Sequence, residues 1–91
     1  MIIGLRKGNE RLMSLKEILK VTRQKAFMSQ EAFADKLCVS VATINRWENG
    51  KSKPNLSALK NIKQFCEEYH LSYSDIEAEW FSFKAEGNKH D

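Results

Sequence analysis

The residues whose types and spacing could do chemistry lie in one stretch, residues 28–54, of this 91-residue chain. A short helix is expected after Ser40, with Ile44 and Trp47 facing inward at helical spacing. The outer face of this helix would carry small, apolar and hydrogen-bonding side chains together: Val41, Ala42, Thr43, Asn45 and Arg46. Such a face is poorly matched to water alone, but it matches base edges in the DNA major groove.

A basic loop follows that helix. Asn49-Gly50 is typical of a helix end, and Lys51-Ser52-Lys53-Pro54 is cationic and stiffened by its proline. The net charge of +3 also hides an asymmetry, because residues 1–63 carry 13 Lys and Arg against five acids, whereas residues 64–91 carry two Lys against seven acids. A basic body with an acidic end indicates one face for a polyanion and another for a different partner.

Other kinds of chemistry find little support in the sequence. Cys38 and Cys66 are the two cysteines, and we expect both to be free thiols in a reducing compartment. Cys66 and His70 would share a helix face, but two such residues cannot close a zinc site without further ligands. We identify no nucleophile–base pair and no phosphate-binding loop. The sequence therefore predicts a protein that is not an enzyme and that uses no metal and no cofactor.

The location of the protein follows from its apolar segments. No apolar run approaches about 18 residues, so no membrane span is expected. The opening thirteen residues are too poor in apolar side chains for a secretory signal. We therefore expect a cytoplasmic protein that does not contact membranes.

Capping signals and apolar spacing predict an all-α domain. Helices are expected at about 15–26, after Ser29, at 41–48, at 56–69, and from a capping box formed by Ser74 and Glu77. Before this domain, residues 1–13 read as a flexible basic arm with Arg6, Lys7 and Arg11. The domain itself is predicted at 14–86, with the tail 87–91 disordered.

The last helix carries more aromatic residues than one buried stripe needs. Ile76, Trp80 and Phe83 fall on one stripe, which we expect to dock on the first and fourth helices. A possible interface with a second protein is therefore assigned to Tyr73, Trp80 and Phe81.

The chain resembles the Cro and phage-repressor helix-turn-helix family, also called the Xre family. The matching pattern covers about residues 14–76 and consists of Arg23, Met28-Ser29-Gln30-Glu31, Phe33-Ala34, Leu37, Val39-Ser40, Thr43-Ile44, Trp47-Glu48-Asn49-Gly50-Lys51, Lys53-Pro54 and, as its weaker end, Leu71-Ser72. The resemblance implies a five-helix fold whose second and third helices, at about 29–48, form the helix-turn-helix. Phe27 and Cys38 depart from the pattern, because the family often has glycine at these two turns.

The resemblance also implies roles for individual residues. Base-facing positions are Val41, Ala42, Asn45 and Arg46, where arginine can donate twice to guanine, asparagine can pair with adenine, and the apolar residues can pack on a thymine methyl. Phosphate contacts are assigned to Gln30, Ser40, Thr43, Asn49, Lys51 and Lys53. Arg23 and Glu48 match a pair that would form a structural salt bridge between the first helix and the end of the third.

Two functions remain open at this point. The first is a sequence-specific regulator of transcription, expected to be a repressor, that binds double-stranded DNA as a homodimer on a two-fold operator. The second is an antitoxin-like or adaptor module that holds a protein partner, such as a toxin, through its aromatic and acidic C-terminal helix.

Overall fold

The computed structural model describes residues 13–85, which form five helices and contain no strand. This confirms the predicted all-α class. The helices are α1 (Leu15–Lys25), α2 (Gln30–Leu37), α3 (Val41–Glu48), α4 (Leu56–Glu68) and α5 (Ser74–Ser82). Most of the predicted arm, including Arg6, Lys7 and Arg11, and the predicted tail 87–91 lie outside the described residues.

At the start of four helices a polar side chain accepts an otherwise unpaired backbone N–H group. At α1, the Glu17 carboxylate accepts the backbone N–H of Ser14 at 3.0 Å. The other three caps accept a backbone N–H three residues ahead: Ser29 from Ala32 at 3.1 Å, Ser40 from Thr43 at 3.1 Å and Asn55 from Ala58 at 2.8 Å. The sequence spacing therefore sets where these helices start.

The start of α5 differs from the prediction. Tyr73 is its N-cap, it already has right-handed backbone angles, and it makes no side-chain capping bond. Ser74 is the first helical residue, so its hydroxyl cannot serve as the cap. The predicted capping box of Ser74 and Glu77 is wrong, because the helix begins one residue earlier than the pattern indicated.

The core lies where four helix pairs meet. α1 packs against α3 and α5, while α2 packs against α3 and α4. Phe33 of α2 meets Phe65 of α4 edge to face, with ring centroids 5.1 Å apart. Full burial of each such large apolar side chain stabilises the fold by about 1.5–3 kcal/mol. The completely buried apolar residues include Leu19, Phe33, Leu37, Ile44, Ile62 and Ile76.

The packing of α5 is narrower than predicted. Its principal helix contact is with α1, rather than with both α1 and α4. Ile76 is buried, but Trp80 and Phe83 are half-buried at the edge of the core. The side chain of Trp80 instead turns toward the loop between α3 and α4.

The two turns that flank α2 have left-handed backbone at non-glycine residues. Phe27 has φ 56° and Cys38 has φ 61°. Left-handed backbone costs a non-glycine residue about 1–2 kcal/mol. Side chains from other helices bind these turns, because Arg23 donates to the Met28 carbonyl at 2.9 Å and Asn61 donates to the Leu37 carbonyl at 3.2 Å.

Candidate functional site

The outer face of α3 is exposed and precedes the basic loop directly in the chain. Ile44 and Trp47 are buried, which holds α3 against α1 and α2. The four residues predicted to face bases all remain exposed on the other side: Val41, Ala42, Asn45 and Arg46. No described residue pairs with the guanidinium of Arg46, so its N–H donors are available to a ligand that binds this face.

The start of α3 carries two coupled hydroxyls. Ser40 Oγ accepts the Thr43 backbone N–H at 3.1 Å and lies 3.0 Å from Thr43 Oγ1. One hydroxyl hydrogen is used between the two oxygens, and the other is left to donate outward. The first-turn N–H groups and this hydroxyl together form a site that favours an anion.

Asn45 and Asn49 are joined side chain to side chain along α3. Asn49 Nδ2 donates to the Asn45 backbone carbonyl at 2.9 Å and to Asn45 Oδ1, also at 2.9 Å. The backbone carbonyl is an unambiguous acceptor, so the Asn49 amide orientation is determined by it. Asn45 therefore presents its Nδ2 donors to the outside.

A buried ion pair joins α1 to the end of α3. Arg23 Nε donates to Glu48 Oε2 at 2.7 Å, and Arg23 Nη2 donates to Glu48 Oε1 at 3.0 Å. The two side chains are 12% and 4% exposed. The hydrogen bond to Glu48 raises the pKa of Arg23 above its ordinary value. The Arg23 side chain also reaches the turn before α2 through Met28, so one guanidinium joins three segments.

Gln30 takes part in the same network. Its Nε2 donates to Glu48 Oε1 at 3.0 Å, which connects the start of α2 to the end of α3. Of the two N–H groups on this amide, one is used by Glu48 and one is left. Gln30, predicted to contact phosphate, therefore connects the two helices of the helix-turn-helix in this structure. Its second N–H group remains available to a ligand.

The two lysines of the basic loop are placed differently. Lys51 is exposed, and no described residue pairs with its ammonium. Lys53 is half-buried, with its ammonium 3.1 Å from the Trp80 carbonyl and 3.6 Å from the centroid of the Trp80 ring. The sequence pattern treated both lysines alike, whereas the structure directs Lys53 inward to α5.

The predicted protein interface is also divided by the structure. Trp80 is half-buried and donates its indole N–H to the Pro54 carbonyl at 2.6 Å, and Tyr73 is half-buried too. Phe81 is 72% exposed and meets Trp80 edge to face at 5.1 Å. Of the three residues, Phe81 is the one whose ring is open to a partner.

Sequence reasoning did not find the contacts of Gln30 with Glu48, of Asn49 with Asn45, or of Trp80 with the loop. The first and third join residues 18 and 26 positions apart. No periodicity reports such pairs. The i, i+4 spacing of Asn45 and Asn49 is a signal that could have found the second.

Comparison with known proteins agrees with this geometry. The family model described as helix-turn-helix matches residues 19–74, which contain α2, α3 and α4 completely. The chain belongs to this helix-turn-helix family. The resemblance to the Cro and phage-repressor type is thereby confirmed. No solved structure matches the chain.

A relative of this helix-turn-helix chain is the HTH-type transcriptional activator BcrR of Enterococcus faecalis, at 40% identity over 53 residues. The match covers 58% of this chain and 26% of that relative. Within residues 13–85, no helix is long and apolar enough to cross a membrane. The family match ends near the start of α5, so Trp80 and Phe81 lie beyond the part shared by the family.

Proposed function

We propose that this helix-turn-helix protein is a sequence-specific regulator of transcription that binds double-stranded DNA with α3 in the major groove. The observation that carries the proposal is the outer face of α3. It presents exposed Arg46 and the Nδ2 donors of Asn45 beside Val41 and Ala42. These groups match the donors and apolar contacts by which base edges are read.

The structure around α3 supports a preformed reading surface. The Arg23, Glu48 and Gln30 network holds the end of α3 to α1 and α2. A rigid first contact reduces the ordering cost that binding must overcome. Backbone contacts would come from the Ser40 and Thr43 hydroxyls, the remaining Gln30 donor and Lys51. Such contacts position the protein without reading sequence.

We further propose that the protein acts as a homodimer on a two-fold operator. One copy of α3 can reach a few base pairs, whereas two copies would read half-sites about 34–36 Å apart. Repression needs no more than occupancy of a promoter, and it is the mode we propose. The relative is named an activator, but it shares 26% of its length with this chain, so its sign of regulation is not carried over.

The test is selection of bound duplexes from a random pool, followed by sequencing and titration of the enriched site. A short palindromic consensus is expected, with affinity that falls as salt rises by about −0.9 in the log–log slope for each phosphate contacted. Absence of any enriched sequence would remove sequence-specific binding. A salt-independent affinity would remove the electrostatic part of the proposal.

The second candidate function is a protein-interaction module of the antitoxin or adaptor kind. It is favoured by α5, which carries exposed Phe81 together with the acids Glu77 and Glu79. Exposed aromatic residues are enriched at protein interfaces. A chain that binds no DNA in the selection, but whose α5 holds a partner protein, would fit this function better.

A further inference from the structure

Three contacts connect the loop between α3 and α4 to α5, and none of them is part of a sequence motif described above. Trp80 donates its indole N–H to the Pro54 carbonyl at 2.6 Å. In the opposite direction, the Lys53 ammonium donates to the Trp80 backbone carbonyl at 3.1 Å. The same ammonium lies over the Trp80 ring, 3.6 Å from its centroid. We call Lys53, Pro54 and Trp80 the loop latch.

The environment of Lys53 explains why its ammonium stays in the latch. The last turn of α5 has no basic residue of its own, while Asp75 and Glu77 lie in its first turn. The C-terminal end of a helix attracts a cation to its unpaired carbonyls. Lys53 supplies that cation from the loop. The face of the indole adds a cation–π contact.

The other side of the latch is the segment proposed to grip the DNA backbone. Pro54 is fully buried, so the loop is anchored at its end. At the beginning of the loop, Gly50 has φ 75°, and the Lys51 backbone N–H donates to the Arg46 carbonyl at 2.9 Å, which fixes the loop to the end of α3. Lys51 thus lies between two fixed points, and it is the exposed lysine of the pair.

We propose that Trp80 and Lys53 are positioning residues for DNA binding, which hold the loop so that Lys51 meets the phosphate backbone. Lys53 itself makes no phosphate contact, because reaching one would break both its bond to the Trp80 carbonyl and its contact with the ring. This inference rests on the proposed DNA-binding function. It assigns opposite roles to two lysines two residues apart, and it gives α5 a part in DNA binding.

The test compares salt slopes of DNA binding for the whole chain and for the variants Lys51→Met, Lys53→Met and Trp80→Phe. Methionine keeps much of the lysine stem but removes the charge, and phenylalanine keeps a ring but removes the N–H donor. Lys51→Met should lower the magnitude of the slope by about 0.9, as expected for one lost phosphate contact. Lys53→Met and Trp80→Phe should leave the slope unchanged and weaken binding at every salt concentration by about three- to tenfold.

A fourth variant tests whether the two residues act as one unit. The double variant Lys53→Met/Trp80→Phe should be less impaired than the product of the single effects, because both substitutions disturb the same loop. Lys53→Arg should retain most of the affinity, since arginine also binds carbonyls and aromatic faces. Strictly multiplicative effects of Lys53→Met and Trp80→Phe would overturn the proposal, and so would a Lys53→Met substitution that lowers the slope by about a further 0.9 in a protein that already carries Lys51→Met, because Lys53 would then contact a phosphate itself.

A measurement without DNA keeps the latch separate from the proposed function. Amide hydrogen exchange at Lys51 should speed up in Lys53→Met and in Trp80→Phe, while exchange at the buried residue Ile44 stays slow. Unchanged exchange at Lys51 would refute the latch even if the protein binds DNA. Faster exchange in a protein that binds no DNA would keep the latch and reject the regulator function instead.

Discussion

Asn49 donates its side-chain amide to both the backbone carbonyl and the side-chain oxygen of Asn45, each at 2.9 Å. This leaves Asn45 with donors facing outward and with one of the two lone pairs of its side-chain oxygen engaged by Asn49. A bidentate contact with adenine needs one donor and one acceptor from the same amide. A paired contact with adenine therefore requires Asn45 Oδ1 to accept a second bond beside the one from Asn49, whereas single-donor contacts with purine N7, guanine O6 or thymine O4 leave that oxygen as it is.

The base preference at the position read by Asn45 follows from that orientation. We expect wild-type protein to disfavour cytosine there, because cytosine offers only a donor in the major groove. Asn45→Asp replaces donors with acceptors and should shift the preference toward cytosine by about 1–3 kcal/mol relative to wild type. Asn49→Ala should free the Asn45 oxygen and shift the preference toward adenine. Sequencing of selected duplexes for the three proteins measures this, and an Asn49→Ala consensus identical to wild type would show that Asn49 does not orient Asn45.

Arg46 and Lys51 should separate base reading from backbone binding. Arg46→Ala should cost about 1–3 kcal/mol on the preferred site and change binding to random DNA little. Lys51→Ala should weaken both to the same extent, since a phosphate contact carries no sequence information. Titrations on a selected duplex and on a scrambled duplex give both numbers. Identical behaviour of the two variants would contradict the division of roles.

The Arg23–Glu48 pair should dominate the stability of the helix-turn-helix. Glu48→Ala leaves the guanidinium of Arg23 in a site where the two side chains are 12% and 4% exposed. Removing one member of a fully buried pair costs about 3–5 kcal/mol, and because Arg23 keeps some contact with water we expect a loss near the lower end of that range. Urea unfolding followed by circular dichroism measures the loss. The matched control is Glu67→Ala, an exposed acid on α4, which we expect to change stability by about 0.5 kcal/mol or less.

A double-mutant cycle sharpens that prediction. If the cost comes from the abandoned charge, Arg23→Met/Glu48→Met should be more stable than Glu48→Met alone, because the double variant leaves neither charge unpaired while position 48 keeps the same side chain. Equal stability of the double variant and the single variant would mean that lost packing, rather than the unpaired arginine, accounts for the effect.

Phe81 provides the test of self-association. Its ring is 72% exposed, so Phe81→Ser should leave the helical circular dichroism unchanged. If α5 forms the dimer interface, the variant should shift sedimentation toward monomer and weaken binding to a two-half-site duplex. A wild-type protein that sediments as a monomer without DNA would exclude this interface in solution and favour a different partner protein. Ser82→Ala, an exposed neighbour, is the control.

Cys66 should make stability depend on alkaline pH. Burial raises the pKa of the Cys66 thiol from 9.0 to about 11, and Glu67 adds to the shift. The folded state thus holds its proton where the unfolded state releases it. The contribution of Cys66 is complete below pH 9.0 and is lost as pH rises toward about 11. Urea unfolding across this range should show falling stability.

Two comparisons isolate the thiol. Cys66→Ala should be less stable at neutral pH because of the cavity, but its stability should decline less between pH 9 and pH 11. Cys38→Ala should keep the wild-type decline, since Cys38 is exposed. In native protein at neutral pH, a thiol reagent should modify Cys38 quickly and Cys66 only on unfolding. Rapid modification of both would contradict the burial of Cys66.

The helices and their starts were predictable because they depend on local information. Ser29, Ser40 and Asn55 each cap a helix through an N–H three residues ahead, and the apolar spacing of Leu19, Phe33 and Ile44 reports their burial. The direction of the Lys53 side chain was not predictable in this way. The direction of this side chain depends on Trp80, which lies 27 positions later in the sequence, and no local pattern relates the two residues.

The same distinction applies to Gln30 and to α5. The pattern placed Gln30 correctly at the start of α2, yet its bond to Glu48 arises only when α2 and α3 come together. The error at Ser74 has another cause. Ser-x-x-Glu is a frequent capping signal, but here Tyr73 already has helical backbone angles, so Ser74 is the first residue inside the helix and cannot cap it.

The left-handed backbone at Phe27 and Cys38 bears on whether the helix-turn-helix can be moved into other proteins. Neither turn adopts its geometry by intrinsic preference, and each is bound by a side chain from outside α2 and α3: Arg23 from α1 and Asn61 from α4. A synthetic peptide of residues 27–54 would contain both turns but lack both supports. We therefore expect that α2 and α3 alone would not keep their geometry in another protein. A chimaera that transfers their DNA specificity would have to include α1 and α4 as well.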